Sequence, residues 1–219
     1  MNKIVNVYKI MPITKKDVLN VLNLLKNNYF HDEPLNASTM LIEENASVIQ
    51  LENYCKSYLD KGISLMAVSE DGVVIGAILN NIMRRNDVNN CNNENCKESP
   101  KFNDITTFLD KAEREVDIFN QYPNVDLIMD MKIITVDKAY RGHGICKALV
   151  DKTKELALEL GCQMMFLECS SYFTAKTAEG FGFKRIYLLP FLNYVNEQGE
   201  IVFKTQPPHT HFRIYVLVL

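Results

Sequence analysis

The sequence lacks a long apolar run, and this absence excludes one class of protein at the outset. Its longest clearly apolar stretch covers residues 73–79, whereas a helix needs about 20 apolar residues to cross a bilayer. The first residues mix polar and apolar side chains, without the sustained apolar segment of a secretory signal. We therefore expect no membrane partner and a cytoplasmic location.

An excess of positive charge is also missing. The 219 residues include 24 Lys and Arg against 27 Asp and Glu, which gives a formal net charge of -3. Proteins that bind nucleic acids usually present a basic surface, so we expect no nucleic-acid partner. This balance still allows a local basic pocket for a phosphorylated ligand.

Cysteine pairs at metal-binding spacing are absent as well. The six cysteines are scattered along the chain, and the closest pair, Cys91 and Cys96, is not followed by a His or Cys pair at zinc spacing. We expect reduced thiols and no metal site.

The composition that remains is that of an ordinary globular protein with alternating helical and extended patterns. At 219 residues, 47% of them hydrophobic, the chain can form one domain with a sizeable core. The patterns predict an α/β or α+β sandwich around a mixed sheet, formed by residues 1–219 as a single domain. An Asn-rich stretch over residues 86–100 is expected to be a mobile loop. Strands are predicted over residues 4–10, 64–68, 73–80, 127–136, 164–168, 183–189 and 212–219, and helices over 17–29, 43–59, 105–119, 145–160 and 171–180.

The most informative segment is a glycine-containing loop between a strand and a helix. The strand ends at Val136, and the loop with Gly142 and Gly144 leads directly into the helix. Backbone N–H groups of such a loop and the helix N-terminus attract anions, and Arg141 and Lys147 add positive charge. The combination suits a pyrophosphate, although it is neither a P-loop nor a Rossmann fingerprint. A plain turn that uses glycine for geometry is the alternative.

The spacing Arg141-x-x-Gly144-x-Cys146 resembles the acetyl-CoA loop of the GNAT-fold N-acetyltransferases, with Cys146 where Gly or Ala is usual. The resemblance implies acetyl-CoA as co-substrate, with the strand before the loop contacting its pantetheine arm. The cofactor-binding residues that it implies are Ile134, Thr135, Val136, Arg141, Gly142, His143, Gly144, Ile145, Cys146 and Lys147.

Four further segments are similar to the insect arylalkylamine N-acetyltransferases within that family. They cover residues 30–36, 81–85, 167–172 and 199–204, in the same order along the chain. The resemblance implies the GNAT fold, which is a mixed, mostly antiparallel central sheet flanked by helices. It also implies transfer of an acetyl group to a primary amine, by direct attack of the amine on the thioester.

Glu33 is the residue that the resemblance assigns as general base. An alkylamine reaches the enzyme mainly as an ammonium ion with a pKa of about 10, and only the free amine can attack. Burial or a water relay would help Glu33, because the reference pKa of a Glu is about 4.3. From the turn at Pro34 alone, a solvated Glu at a helix end is the alternative. A backbone N–H near Val136 is expected to stabilise the oxyanion.

The departing coenzyme A thiolate is expected to meet hydroxyl groups. Many GNAT enzymes carry a Tyr four residues before the Gly-Phe that follows the last short helix, but this chain has Ala178 at that position. The similarity to the insect subgroup implies Ser170 and Thr174 instead. Simple helix capping is the alternative for Ser170 or Ser171.

The acceptor-binding residues are expected near the base, with Tyr29, Asp32 and Met131 as candidates and core packing or solvation as their alternatives. The leading prediction is an arylalkylamine such as tryptamine, tyramine, dopamine, octopamine or serotonin. Aromatic pocket residues would favour these amines, whereas acidic ones would favour a polyamine or agmatine. An amino-acid acceptor, a longer acyl donor and a non-catalytic acyl-CoA-binding module are further alternatives. We expect a monomer or a weak homodimer.

Overall fold

The computed structural model describes residues 8–59, 61–90 and 99–219. Within these residues, seven strands form one sheet in the order β1-β2-β3-β4-β5-β7-β6. The strands are β1 Tyr8–Pro12, β2 Leu65–Ser69, β3 Val74–Arg84, β4 Leu127–Val136, β5 Met164–Cys169, β6 Lys184–Pro190 and β7 His211–Val218. The helices are α1 Val18–Asn27, α2 Tyr29–Asp32, α3 Pro34–Ser38, α4 Asn45–Leu59, α5 Pro100–Val116, α6 Ile118–Gln121, α7 Ile145–Glu159 and α8 Tyr172–Gly180.

The sheet is mixed but mostly antiparallel, which confirms the predicted fold class. Every pairing of neighbouring strands is antiparallel except that of β4 with β5, which is parallel. The predicted hairpin is present as β2 and β3. Successive side chains of a strand point to opposite sides of the sheet, and helices cover both of these faces. Ile128 and Ile133 of β4 pack into a core with α1, α4 and α5, while Met129 and Met131 pack into a second core with α7 and α8.

The prediction was least accurate around the Asn-rich stretch. Helix α5 begins five residues before the predicted start at residue 105, because the Ser99 side chain accepts a hydrogen bond from the Phe102 N–H at 3.3 Å and Pro100 follows at the first helical position. The helix also ends early, at Val116, because its C-cap Asp117 has a left-handed backbone with a φ of 44°. Arg85–Asn90 form a short 3₁₀ helix. Residues 91–98, like residues 4–7 of the first predicted strand, lie outside the described residues.

Strands β4 and β5 pair over part of their length and then separate. Their pairing covers residues 128–131 of β4 and ends with Met131 opposite Leu167. At this point the register of β3 against β4 shifts between Leu79 and Asn80, which leaves Lys132 as an extra residue in β4. Residues 133–136 then pair with β3 alone, and the end of β5 pairs with β7 alone. A gap therefore opens in the middle of the sheet.

Helix α7 lies unusually close to this part of the sheet. A Cβ atom added to Gly76 of β3 would lie 2.9 Å from Cγ2 of Ile145 and 3.4 Å from Cδ1 of Leu149. Because real Cβ atoms do not approach a neighbour so closely, only glycine at position 76 allows this contact. The contact fixes the N-terminus of α7 beside the gap.

Candidate active site

A cavity of about 550 Å³ occupies the gap between β4 and β5. Its lining residues come from both faces of the sheet: Leu51 and Ile105 on the side of α4 and α5, and Cys146 and Thr174 on the side of α7 and α8. Residues 132–136 of β4 line it along the edge that β5 leaves free. The cavity can therefore receive one ligand from each face and let the two meet inside the sheet.

The loop before α7 has the backbone geometry of an anion site. Gly142 and Gly144 have φ values of 81° and 77°, a left-handed conformation that side chains disfavour. Gly144 is also the N-cap of α7, so the free N–H groups of the first turn and the positive end of the helix dipole lie here. Helix α7 spans 15 residues, long enough for a substantial dipole.

The residues predicted to bind the cofactor divide into two groups. Ile134, Thr135, Val136, Arg141 and Cys146 line the cavity. The others belong to the loop and to the first turn of α7 beyond it; they are Gly142, His143, Gly144, Ile145 and Lys147. In the second group the Ile145 side chain is buried in the core, so only its backbone is placed to meet a ligand.

Asp32 connects the segment around Glu33 to the loop before α7. Its carboxylate lies 2.7 Å from Nη2 of Arg141 and 2.9 Å from Nζ of Lys138. Burial raises the pKa of Asp32, but hydrogen bonds from Arg141 and Lys138 outweigh this effect, and the pKa is lowered from its usual value. Asp32 lines the cavity, yet its charge is already balanced by these two cations.

Glu33 lies between α2 and α3 with an extended backbone, as expected for the residue before Pro34. Its Oε2 accepts a hydrogen bond from the N–H of Asn36 at 2.6 Å, and its side chain lines the cavity. Burial raises the pKa of Glu33, although hydrogen bonds from the Ser170 hydroxyl and from the N–H groups of Asn36 and Leu35 oppose the rise. Glu33 is therefore a helix cap with a cavity-facing, weakly acidic carboxyl group rather than a solvated Glu.

The two neighbouring serines have different contacts. Ser171 is the N-cap of α8, and its hydroxyl accepts hydrogen bonds from the N–H groups of Phe173 at 3.2 Å and Thr174 at 3.5 Å. Ser170 instead donates a hydrogen bond from its hydroxyl to the Glu33 carboxyl, which lowers the pKa of that carboxyl. Thr174 lines the cavity one turn into α8. The structure thus brings Glu33, Ser170 and Thr174 to the same cavity and leaves helix capping to Ser171.

Tyr29 and Met131, the other two candidates for the acceptor site, differ in their position relative to the cavity. Tyr29 lines the cavity, and its pKa is raised well above the usual value by burial and by the nearby Glu33 carboxyl, so its phenol stays protonated. Met131 is 2% exposed, packs in the core beneath α7 and does not line the cavity. Alternate residues of β4 face opposite sides of the sheet, and the adjacent Lys132 faces the cavity. A role for Met131 in acceptor binding therefore stays a prediction without a direct contact to the cavity.

A charged cluster at the cavity was missed by the sequence analysis. Nζ of Lys132 lies 2.8 Å from Glu113, 3.0 Å from Asp130 and 3.5 Å from Glu168. Burial lowers the pKa of Lys132, but these carboxylates outweigh burial and raise it well above its usual value. Burial, with help from Glu113 and Asp130, raises the pKa of Glu168 to about 8 despite the attraction of Lys132. Charged residues inside an apolar strand pattern were the signal that could have revealed this cluster.

His209 is a second cavity residue that the sequence analysis missed. Its Nδ1 accepts a hydrogen bond from the N–H of Tyr172 at 3.2 Å, and its ring lies edge-on to that of Phe173. Burial lowers the pKa of His209, so the ring favours its neutral form. His209 reaches the cavity through a long-range contact between the segment before β7 and the start of α8, which no local pattern predicts.

No helix among the described residues is long and apolar enough to cross a membrane. Within the same ranges, no group of three or more His, Cys, Asp or Glu side chains is arranged to hold a metal ion.

Comparison with known proteins adds to this geometry. The model of the acetyltransferase (GNAT) family matches residues 39–183. The crystal structure of arylalkylamine N-acetyltransferase 2 from Aedes aegypti has a TM-score of 0.88 at 30% identity, and the alignment covers 97% of this chain and 99% of that one. The polyamine N-acetyltransferase of Drosophila melanogaster, which catalyses the formation of N-acetylagmatine, has a TM-score of 0.86 at 21% identity, with 97% and 100% covered. At that identity the second likeness shows the shared fold alone.

Proposed function

Since the chain belongs to the acetyltransferase (GNAT) family and is therefore an acetyl-CoA-dependent N-acetyltransferase, we propose that its acceptor is the primary amine of an arylalkylamine. The observation that carries the proposal is the Glu33 carboxyl group, which has a raised pKa and lines the same cavity as the free edge of β4. A base, a place for the thioester and a channel for the amine are thus combined in one site.

Acetyl-CoA is proposed to enter from the side of α7. Its pyrophosphate would accept hydrogen bonds from the loop of residues 141–147 at the N-terminus of α7. Its pantetheine arm would lie along residues 133–136, whose backbone groups on the gap side have no neighbouring strand to bond. The arm would then replace the missing strand and bring the thioester to the middle of the gap.

The amine is proposed to enter from the side of α4 and α5 and to lose a proton to Glu33. A carboxyl group with a raised pKa is a stronger base than an ordinary Glu, which suits transfer of a proton from an ammonium ion. The free nitrogen then forms a bond to the thioester carbonyl carbon. A backbone N–H near Val136 would stabilise the resulting oxyanion. The amide forms as the carbon–sulfur bond breaks and the nitrogen releases its second proton to solvent.

The leaving thiolate is proposed to be stabilised by the hydroxyls of Ser170 and Thr174. Both line the cavity, and Ala178, where many relatives have a Tyr, is buried in the core beneath α8 and does not line it. The Ser170 hydroxyl, hydrogen-bonded to Glu33, could return the proton that Glu33 received. A non-catalytic acyl-CoA-binding protein would have no use for this pairing of carboxyl and hydroxyl.

The acceptor class is inferred from the wall of the cavity toward α4 and α5. Most of this wall is apolar or aromatic, as an aryl ring requires, and its charged members are Lys132 and Glu168. The apolar and aromatic residues are Leu51, Tyr54, Phe102, Ile105, Leu109 and Phe212.

We also place the protein in the cytoplasm, which is consistent with the free thiols at Cys55, Cys146, Cys162 and Cys169.

The proposal is tested by release of coenzyme A thiol from acetyl-CoA with a panel of arylalkylamines, polyamines, agmatine and amino acids. We expect kcat/KM to be highest for an arylalkylamine. A higher value for a polyamine or an amino acid would contradict the acceptor class and leave the acetyltransferase reaction in place.

Glu33→Gln tests the base in the same assay. The amide keeps the shape of the side chain but cannot accept the proton, so we expect kcat to fall by roughly two to four decades. The affinity for acetyl-CoA, measured by calorimetry, should change little, because the cofactor loop is not altered. Normal turnover near neutral pH would require another base.

A further inference from the structure

Glu168 is a cavity residue that the proposed reaction does not use. It lies on β5 at the point where β4 and β5 separate, and its side chain is 11% exposed. It faces the side of the sheet that carries α4 and α5, because Phe166, two residues earlier, packs in the core on that side. An acceptor entering from that side would therefore meet Glu168.

The Glu168 carboxyl is not saturated by its neighbours. The ammonium of Lys132 carries three hydrogens, and three carboxylates surround it, with Glu168 at 3.5 Å the farthest and Glu113 and Asp130 closer. Among the described residues, Oε1 of Glu168 is buried and has no hydrogen-bond partner. A buried polar atom without a partner is costly, so this oxygen has unused capacity for a hydrogen bond from a ligand.

The position of Glu168 relative to the base sets the length of the ligand. Ser170, which bonds Glu33, follows Glu168 by two residues, a separation of roughly 7 Å along an extended chain. Tyr29 lines the same cavity as Glu33 and Glu168, and both carboxyl groups raise the pKa of its phenol. An amine held at Glu33 would thus direct the far end of its side chain along the aromatic wall toward Glu168.

A neutral hydroxyl group suits this end of the cavity better than a second ammonium. A second cation beside Glu168 would also lie beside Lys132, and like charges repel strongly away from water. With its pKa raised to about 8 by burial, Glu168 is mostly protonated near neutral pH. A hydroxyl both donates and accepts hydrogen bonds, so it can pair with either form of the carboxyl.

We propose that Glu168 binds the ring hydroxyl of the acceptor and makes the enzyme selective for hydroxylated arylalkylamines. This inference rests on the proposed function and adds a specificity residue to it. The same contact would reject an amine with an unsubstituted ring, because the buried carboxyl would then stay unpaired.

Tyramine and phenethylamine test the inference, since they differ only in the ring hydroxyl. In the unaltered protein we expect kcat/KM to be higher for tyramine by about tenfold or more, the effect of one buried hydrogen bond. In Glu168→Leu the ratio should fall to within about twofold, mainly through a higher KM for tyramine, because the hydroxyl is distant from the reacting atoms.

Two further variants distinguish a direct contact between Glu168 and the ring hydroxyl from an effect of altered charge or folding. Glu168→Gln keeps an acceptor oxygen and should retain most of the tyramine preference. Glu113→Gln removes a different carboxylate from Lys132, one that does not line the cavity, and should leave the preference unchanged. If Glu168→Leu fails to fold, the ratio in the unaltered protein and in Glu168→Gln still decides the question.

Each other outcome has a distinct meaning. Equal kcat/KM for the two amines, or an unchanged ratio in Glu168→Leu, would overturn the role of Glu168 but not the proposed function. A loss of preference in Glu113→Gln as large as in Glu168→Leu would assign the effect to Lys132 and overturn the direct contact. A diamine that outperforms tyramine and loses this advantage in Glu168→Leu would overturn the choice of a hydroxyl. No thiol release with any amine would overturn the inference together with the proposed function.

Discussion

At the scale of single residues, the two carboxyl groups of the site differ in how many hydrogen bonds they receive. Glu33 receives hydrogen bonds from Ser170 and from two backbone N–H groups, whereas Oε1 of Glu168 has no partner among the described residues. These hydrogen bonds hold the Glu33 carboxyl in one orientation, as its proposed role of general base requires. The other is available to a ligand that supplies the missing contact.

Ser170 and Thr174 give a prediction at this scale. A free thiol has a pKa of about 8.5, so the thiolate is already a moderate leaving group near neutral pH and the hydroxyls should matter less than the base. We expect Ser170→Ala to lower kcat by about one to two decades and Thr174→Ala to have a milder effect.

The double variant decides whether the two hydroxyls act together. Its loss in activation free energy should be smaller than the sum of the single losses if they form one unit. Ser171→Ala is the control for folding. Ser171 caps α8, the helix that carries Thr174, but does not bond Glu33. Full turnover of Ser170→Ala with acetyl-CoA would show that the thiolate leaves unaided.

At the scale of elements, the chemistry lies where regular structure is interrupted. The break between α2 and α3 places Glu33, β4 separates from β5 where the cofactor arm is proposed to lie, and the N-terminus of α7 is its proposed anion site. The contact of α7 with Gly76 fixes the distance between the last two features. A change in any of these elements should alter the cofactor affinity before it alters the fold.

Gly144→Glu tests the anion site. It places a negative charge where the pyrophosphate is proposed to bind, so we expect the dissociation constant of acetyl-CoA, measured by calorimetry, to rise by about tenfold or more. Gly72→Glu is a matched control, since Gly72 has a φ of 78° against 77° for Gly144 and open space around it, but lies in the β2–β3 turn. Equal acetyl-CoA affinity in the two variants would contradict the placement of the pyrophosphate.

The elements also show how far sequence reasoning reaches. Pro34 predicts the turn at Glu33, and the glycines predict the loop before α7, because both act through local backbone geometry. The gap at Lys132 and the burial of Glu168 depend on the register of strands distant in sequence. The resemblance identified Glu33 and Ser170 as separate site residues, and only the fold shows that they interact.

At the scale of the whole molecule, buried carboxyl groups link stability to pH. Burial raises the pKa values of Glu33, Asp130 and Glu168. A carboxyl with a raised pKa binds its proton more tightly in the folded state, so its stabilising contribution is complete at low pH and is lost as the pH rises. For Glu168 this loss extends from about 4.5, the usual value, to about 8.

We therefore expect the melting temperature to fall as the pH is raised from about 5 to 8, and to fall less steeply in Glu168→Gln, because the amide does not titrate. Glu155→Gln, on the exposed side of α7, is the control and should keep the slope of the unaltered protein. Thermal unfolding, followed by circular dichroism at several pH values, measures how the melting temperature of each protein changes with pH. An identical slope in Glu168→Gln would mean that Glu168 titrates alike in the folded and unfolded chains.

The separation of β4 from β5 also has a consequence for hydrogen exchange with solvent. Along residues 133–136, the backbone N–H groups that point toward β3 are held in the ladder, while those that point into the gap have no strand to accept them. Amide protons should therefore exchange slowly and quickly in alternation along this segment, within a strand that is otherwise well protected. Adding acetyl-CoA should slow the fast set and leave the slow set as it was, so that deuterium uptake over these few residues becomes a direct measure of how much of the enzyme carries its acyl donor.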